Sequence, residues 1–124
     1  MLSLPPSCRI WLALAPCDMR KGFYSLLAEA RSRWPEKDPL AGDLYLFVGR
    51  QRTTVKVIWW SPGGISMFCK RLEKGSFRLP ALQPGQPTVA IAASDLAMLL
   101  DGIDWTRVRR QEFHEPRRSL ADRG

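Results

Sequence analysis

Lys56-Val57-Ile58-Trp59-Trp60-Ser61-Pro62-Gly63-Gly64, closed by Phe68-Cys69-Lys70-Arg71-Leu72-Glu73-Lys74-Gly75, is the stretch whose reading decides the fold. β-branched and aromatic residues fill two runs, and a Pro-Gly turn signal joins them, so a twisted antiparallel hairpin is expected. Along the first run Val55, Val57 and Trp59 alternate with Thr54, Lys56, Ile58 and Trp60, each set lining one face of the strand. The two tryptophans therefore point opposite ways, and only one of them is open to stack on a base. Cations crowd the hairpin and its turns, a surface that suits an acidic polymer.

Upstream, Asp43 to Val48 reads as a strand ending at Gly49, and Gly49-Arg50-Gln51-Arg52 as a tight connection into the hairpin. Downstream, Glu73-Lys74-Gly75 is expected to reverse the chain again into a strand Ser76 to Leu79, completing a meander. Near the start, Arg9 to Leu14 is a short apolar run bounded by Pro16, the pattern of a buried strand. Asp18 is then expected to cap a helix running from Arg20 to Trp34, with Phe23, Leu26, Leu27, Ala30 and Trp34 as one apolar stripe and Pro35 as its stop. Arg20, Lys21, Glu29, Arg31 and Arg33 form its largely cationic solvent side. Gly22 in the first turn costs about 1 kcal/mol relative to Ala, which points to a close contact there.

After a Pro- and Gly-rich loop from Pro80 to Pro87, Thr88 to Ile91 reads as an edge strand. Ser94 is expected to cap a short helix that buries Leu96, Leu99 and Leu100 and stops at Gly102, with Ile103 and Trp105 folding back on the core. The architecture is therefore α+β: an antiparallel meander sheet of about four to six strands packed against one amphipathic helix, plus a short C-terminal helix. Residues 1–105 are expected to form one globular domain. Residues 106–124, with Arg107, Arg109, Arg110, Arg117, Arg118 and Arg123 among few apolar side chains, read as a flexible basic tail.

Nineteen Lys and Arg against twelve Asp and Glu give the 124-residue chain a formal charge of +7, which favours polyanions through counterion release. Cys8, Cys17 and Cys69 are odd in number and form no C-x-x-C pair, so they are expected to be ordinary buried thiols of a reducing cytoplasm. Met1 to Pro16 is apolar but is broken by Pro5, Pro6 and Arg9 and does not read as a signal peptide. No run approaches the roughly 20 apolar residues that cross a bilayer, so a soluble, cytoplasmic protein with no membrane partner is expected.

The residues offer little to a catalyst. A strand-cutting nuclease converges carboxylates on two divalent metals about 3.5 to 4 Å apart, whereas Asp18, Asp43, Glu73 and Asp104 read as a helix cap, a strand-edge residue, a turn acid and a scattered fourth. The single histidine, His114, lies in the basic tail. Ser61-Pro62-Gly63-Gly64 joins two strands, whereas a phosphate loop feeds a helix and carries Lys before Ser or Thr. A non-enzyme with no catalytic residues, no metal and no cofactor is expected. The two helices are separated by the whole sheet, which argues against a helix-turn-helix.

Asp18-Met19-Arg20-Lys21-Gly22-Phe23, Gly49-Arg50, Lys56-Val57-Ile58-Trp59-Trp60, Phe68 with Lys70-Arg71-Leu72-Glu73, Gly75 with Phe77, and Leu99-Leu100-Asp101-Gly102-Ile103-Asp104-Trp105 form an ordered set. From about residue 4 to about residue 110 this set resembles the small accessory protein, called TnpB or Orf2, of the IS sixty-six group of bacterial insertion sequences. The resemblance implies a mobile-element protein that works beside a separate, larger transposase and is not itself the strand-cutting enzyme. The residues expected to meet nucleic acid are Arg20, Lys21, Arg50, Arg52, Lys56, Trp60, Lys70, Arg71, Lys74 and Arg78, with DNA at the element ends as the partner. The alternative is an adaptor that docks on the transposase or the other accessory subunit through an apolar patch around Trp60, without touching DNA.

Overall fold

A computed structural model describes residues 8–106. Five strands form one sheet: β1 (Ile10–Ala13), β2 (Leu44–Val48), β3 (Thr54–Ser61), β4 (Gly64–Arg71) and β5 (Thr88–Ile91), in spatial order β4-β3-β2-β1-β5. Among the described residues two helices accompany it, α1 (Phe23–Arg33) and α2 (Ala93–Leu100), with one 3-10 turn at Pro39–Ala41. The α+β class and a five-stranded, mostly antiparallel sheet are as the sequence predicts.

The hairpin that anchored the reading forms residue by residue: Ser61 pairs with Gly64 across Pro62-Gly63, and Thr54 pairs with Arg71 at the far end. Proline first and glycine second, with Gly63 at φ +91°, is the chemistry of a type II turn. Two expectations about the meander fail. Residues 76–79 are not a strand; the backbone N–H of Phe77 instead donates to the carbonyl of Arg52 at 2.6 Å and carries the Phe77 ring into the core. The first two strands also run parallel, because α1 returns the chain across the sheet between them.

Strand alternation gives the sheet two apolar faces, and each is covered. Tyr45, Phe47, Ile58 and Ala13 meet Leu26, Ala30 and Trp34 of the α1 layer, where Trp34 packs edge-on against Tyr45 and Phe47. Leu12, Leu46, Val55 and Val57 meet Leu96, Leu99 and Leu100 of α2, together with Phe77 and Trp105. β2 is buried along its whole length, as expected of a strand packed on both sides. The second face is thus no open surface but a second core.

The helix ends differ from their sequence-based readings. Asp18 does not cap α1: its carboxylate accepts from the backbone N–H of Arg20 at 2.9 Å in a local turn, and the residue preceding the helix is Gly22. No atom lies within 4 Å of a Cβ built on Gly22, so no close contact explains it. Leu26, Leu27, Ala30 and Trp34 are buried as predicted, but Phe23 is 44% exposed. Arg33 turns inward, its guanidinium donating to Glu29 and to the carbonyls of Ala15 and Pro16. In α2 the N-terminal device is Asp95, whose carboxylate accepts from the N–H of Ala92, and Ser94 lies inside the helix. Gly102, at φ +75°, ends α2 as expected: its N–H reaches the carbonyl of Leu99 and that of Ile103 the carbonyl of Met98, the paired bonds of a Schellman motif. Trp105 is buried, its indole N–H donating to the Arg78 carbonyl at 2.8 Å, while Ile103 is exposed. The proposed basic tail lies outside the described residues except for Thr106.

Candidate nucleic-acid interface

The carboxyl ends of the parallel pair β1 and β2 open onto a cleft of about 660 Å³. Two loops and one strand end build it: Pro16 to Arg20 after β1, Gly49 to Thr54 after β2, and Arg71 at the end of β4. In sheets with parallel strands, the loops leaving their carboxyl ends are where ligands are received.

Arg20, Arg50 and Arg71 reach the cleft from three different segments, against one aspartate, Asp18. Arg20 is held by that carboxylate in a fork, Nε at 3.0 Å from Oδ1 and Nη2 at 2.8 Å from Oδ2. The guanidinium, and after it the Arg20 backbone N–H, holds the Asp18 carboxyl well below the usual carboxylate range. Arg50 and Arg71 make no ion pair among the described residues and are exposed. Their charge stays available to a ligand.

A tight contact locks the loops together. Met19 lies over Gly49, and a Cβ on Gly49 would stand 2.7 Å from Met19 Cγ. Lys56 adds a second tie, its Nζ donating to the Lys21 carbonyl at 2.8 Å. Cys17, which lines the cleft, is buried as expected and has its thiol pushed up chiefly by burial and further by Glu29, whereas Cys8 is half-buried and Cys69, on the β4 edge strand, is exposed.

The remaining predicted residues divide. Arg52 shares the Gly49–Thr54 turn, is exposed and holds φ +60°. Lys21 backs the cleft wall and sits 3.9 Å from Glu29. Lys74 lies in the exposed turn after β4, and Arg78 is exposed one residue beyond Phe77, whose N–H binds Arg52. Lys70 is on the other face of the sheet, its Nζ donating to the Leu100 carbonyl at the end of α2, 2.6 Å away. Trp60 is half-buried near the hairpin turn, about 20 Å along β3 from the cleft at the usual strand rise.

Among the described residues the exposed large apolar side chains are Phe23, Tyr24, Leu40, Leu82 and Ile103; Trp60 and its cross-strand partner Ile65 are half-buried. No group of three His, Cys, Asp or Glu side chains that could hold a metal ion stands together among them either. No helix among them is long and apolar enough to cross a membrane. Sequence reasoning missed the meeting of Met19 with Gly49 and the exposure of Phe23 and Tyr24. The signal for the first was present, since Asp18-Met19-Arg20 and Gly49-Arg50 stood out as motifs, but their separation of about thirty residues hid that they touch.

These features define a small basic α+β protein with an arginine-lined cleft at one end of a doubly covered sheet. The chain belongs to the family described as IS66 Orf2 like protein, which it matches over residues 8–110. Membership points to an accessory role in an insertion sequence. Two proteins of Sinorhizobium fredii are similar to it. The uncharacterized protein y4hO is 39% identical over 105 residues, covering 85% of this chain and 89% of the relative. The uncharacterized protein y4jC is 32% identical over 108 residues, covering 87% and 90%. No solved structure matches the chain.

Proposed function

We propose that this protein is a non-enzymatic accessory factor of insertion-sequence transposition that binds DNA and assists a separate transposase at the element ends. The observation that carries the reading is the convergence of Arg20, Arg50 and Arg71 on one open cleft, two of them without a carboxylate partner among the described residues. Guanidinium groups pair with phosphate oxygens in a fork geometry, so an arginine cluster of this kind suits a sugar-phosphate backbone. Arg52, Lys74 and Arg78 add exposed positive charge, and the Lys56 bond to the Lys21 carbonyl holds the loop that forms one wall. Phosphate contacts of this sort give salt-sensitive and sequence-tolerant affinity.

A mobility shift of element-end DNA across a salt series tests the reading. Retention at low salt that is lost as salt rises, and that is weakened at every salt in Arg50→Ala/Arg71→Ala with an unchanged thermal transition, is the expected result. Absence of any retention at low salt overturns DNA binding and leaves capture of the transposase as the measurement to make.

A further inference from the structure

A few residues along the chain from the cleft are two aromatic rings that the core does not take up. Phe23 and Tyr24 open α1 and are 44% and 77% exposed. They follow Arg20 by three and four residues, on a segment pinned to the cleft by Met19 over Gly49 and by the Lys56 bond to Lys21. Thr54 lines the cleft and lies two residues from Lys56 on the same face of β3, with Arg71 opposite Thr54 on β4. The exposed rings thus follow within three or four residues of the cleft's Arg20, on a segment tied to the cleft.

Capacity narrows the occupant. A cleft of about 660 Å³ is of small-molecule size, with room for about one nucleotide unit. Its lining holds no aromatic residue, so it offers charge and hydrogen bonds to a phosphate, and any stacking surface must come from outside it. Proteins that hold unpaired strands pair these two elements, a basic groove for the backbone and aromatic side chains for the bases. In a duplex the base faces are already stacked on one another, so Phe23 and Tyr24 have nothing to add to it.

The geometry points to an unpaired DNA strand as the ligand: a phosphate held by Arg20, Arg50 and Arg71, with neighbouring bases stacked on Phe23 and Tyr24. The assignment rests on the DNA-binding reading above and specifies which form of DNA is bound. It is a use of Phe23 that its place on the helix stripe does not announce.

Fluorescence anisotropy with a labelled short single strand, its blunt duplex, and an unlabelled deoxymononucleotide as competitor tests it. The single strand is expected to bind about tenfold more tightly than the duplex, and Tyr24→Ala to weaken the strand about tenfold while leaving the duplex unchanged. Tyr24→Phe, which keeps the ring, restores strand binding. Phe23→Ala acts in the same direction, and Tyr24, being exposed, can be replaced without unfolding the chain. Equal affinity for strand and duplex, or a Tyr24→Ala variant that binds the strand as wild type does, overturns the inference while DNA binding stands. Competition by the mononucleotide at the same concentration as the strand also overturns it, since the site then takes a free nucleotide. If neither DNA form binds at low salt, the DNA-binding reading falls and takes this inference with it.

Discussion

At Gly49 a Cβ would stand 2.7 Å from Met19 Cγ, well inside the 3.5 to 4.0 Å at which carbon atoms rest. The bare backbone there is what lets the two arginine-bearing loops touch. Gly49→Ala is expected to destabilise the fold by about 1–3 kcal/mol and to weaken DNA retention. Met19→Ala in the same chain should recover most of the stability, and a double-mutant cycle in urea measures the recovery. Tyr45 makes a second residue-scale case. Its hydroxyl and the Trp34 indole N–H are buried with no hydrogen-bond partner among the described residues. Burial first, then Asp43, Asp38 and Glu36, pushes the Tyr45 hydroxyl up to about 12. Because the folded protein holds this proton more tightly than the unfolded chain, the stability it contributes is complete below pH 10 and is lost as pH rises from there through about 12. Tyr45→Phe should therefore raise stability at neutral pH by about 1 kcal/mol and remove that alkaline component, both read from denaturant midpoints across pH. The glycine and the tyrosine were visible in the sequence as a strand end and a strand residue. Their roles were not, because each depends on a neighbour distant along the chain.

Among the elements, β4 shows how one strand serves two surfaces. Arg71 faces the α1 side and lines the cleft, while Lys70, its neighbour in sequence, points to the α2 side and donates to the Leu100 carbonyl. A cation at a helix C-terminus meets the negative end of its dipole. Lys70→Met is expected to lower stability by about 0.5–1 kcal/mol in thermal melts while leaving DNA retention as in wild type. Arg71→Ala should do the reverse. The alternation that separates the two was legible in the sequence, since period two puts adjacent residues on opposite faces. What α2 would place against Lys70 was not. The parallel pairing of β1 and β2 was equally hidden, because a single apolar run carries no sign of the direction of its neighbour.

At the scale of the whole molecule, both sheet faces are used for cores, which leaves the end of the sheet as the place where charge collects. A chain of formal charge +7 attracts any polyanion, so the net charge alone says nothing of a site. The slope of affinity against salt does. Replacing Arg20, Arg50 and Arg71 together by Ala is expected to flatten the log–log salt slope by about 2–3, since each phosphate contact contributes about 0.7–0.9. The three side chains are solvent-facing and the Asp18–Arg20 pair is exposed, so the thermal transition should stay near wild type. A slope unchanged by the triple replacement would mean that the positive charge acts diffusely over the surface.

The sequence by itself determined the local objects: the Pro62-Gly63 hairpin, the apolar stripe of α1, the glycine stop of α2, and the family, because each is written in residues that lie close together along the chain. Only the tertiary structure decided which cations share a cleft, which one is spent on a helix end, and which aromatic rings stay in solvent. Those outcomes depend on the Met19–Gly49 contact and on the two covered faces, where Phe77 and α2 occupy surface that the strand pattern alone leaves open. Periodicity sets the side of an element on which a residue stands; packing between distant segments sets what it meets there.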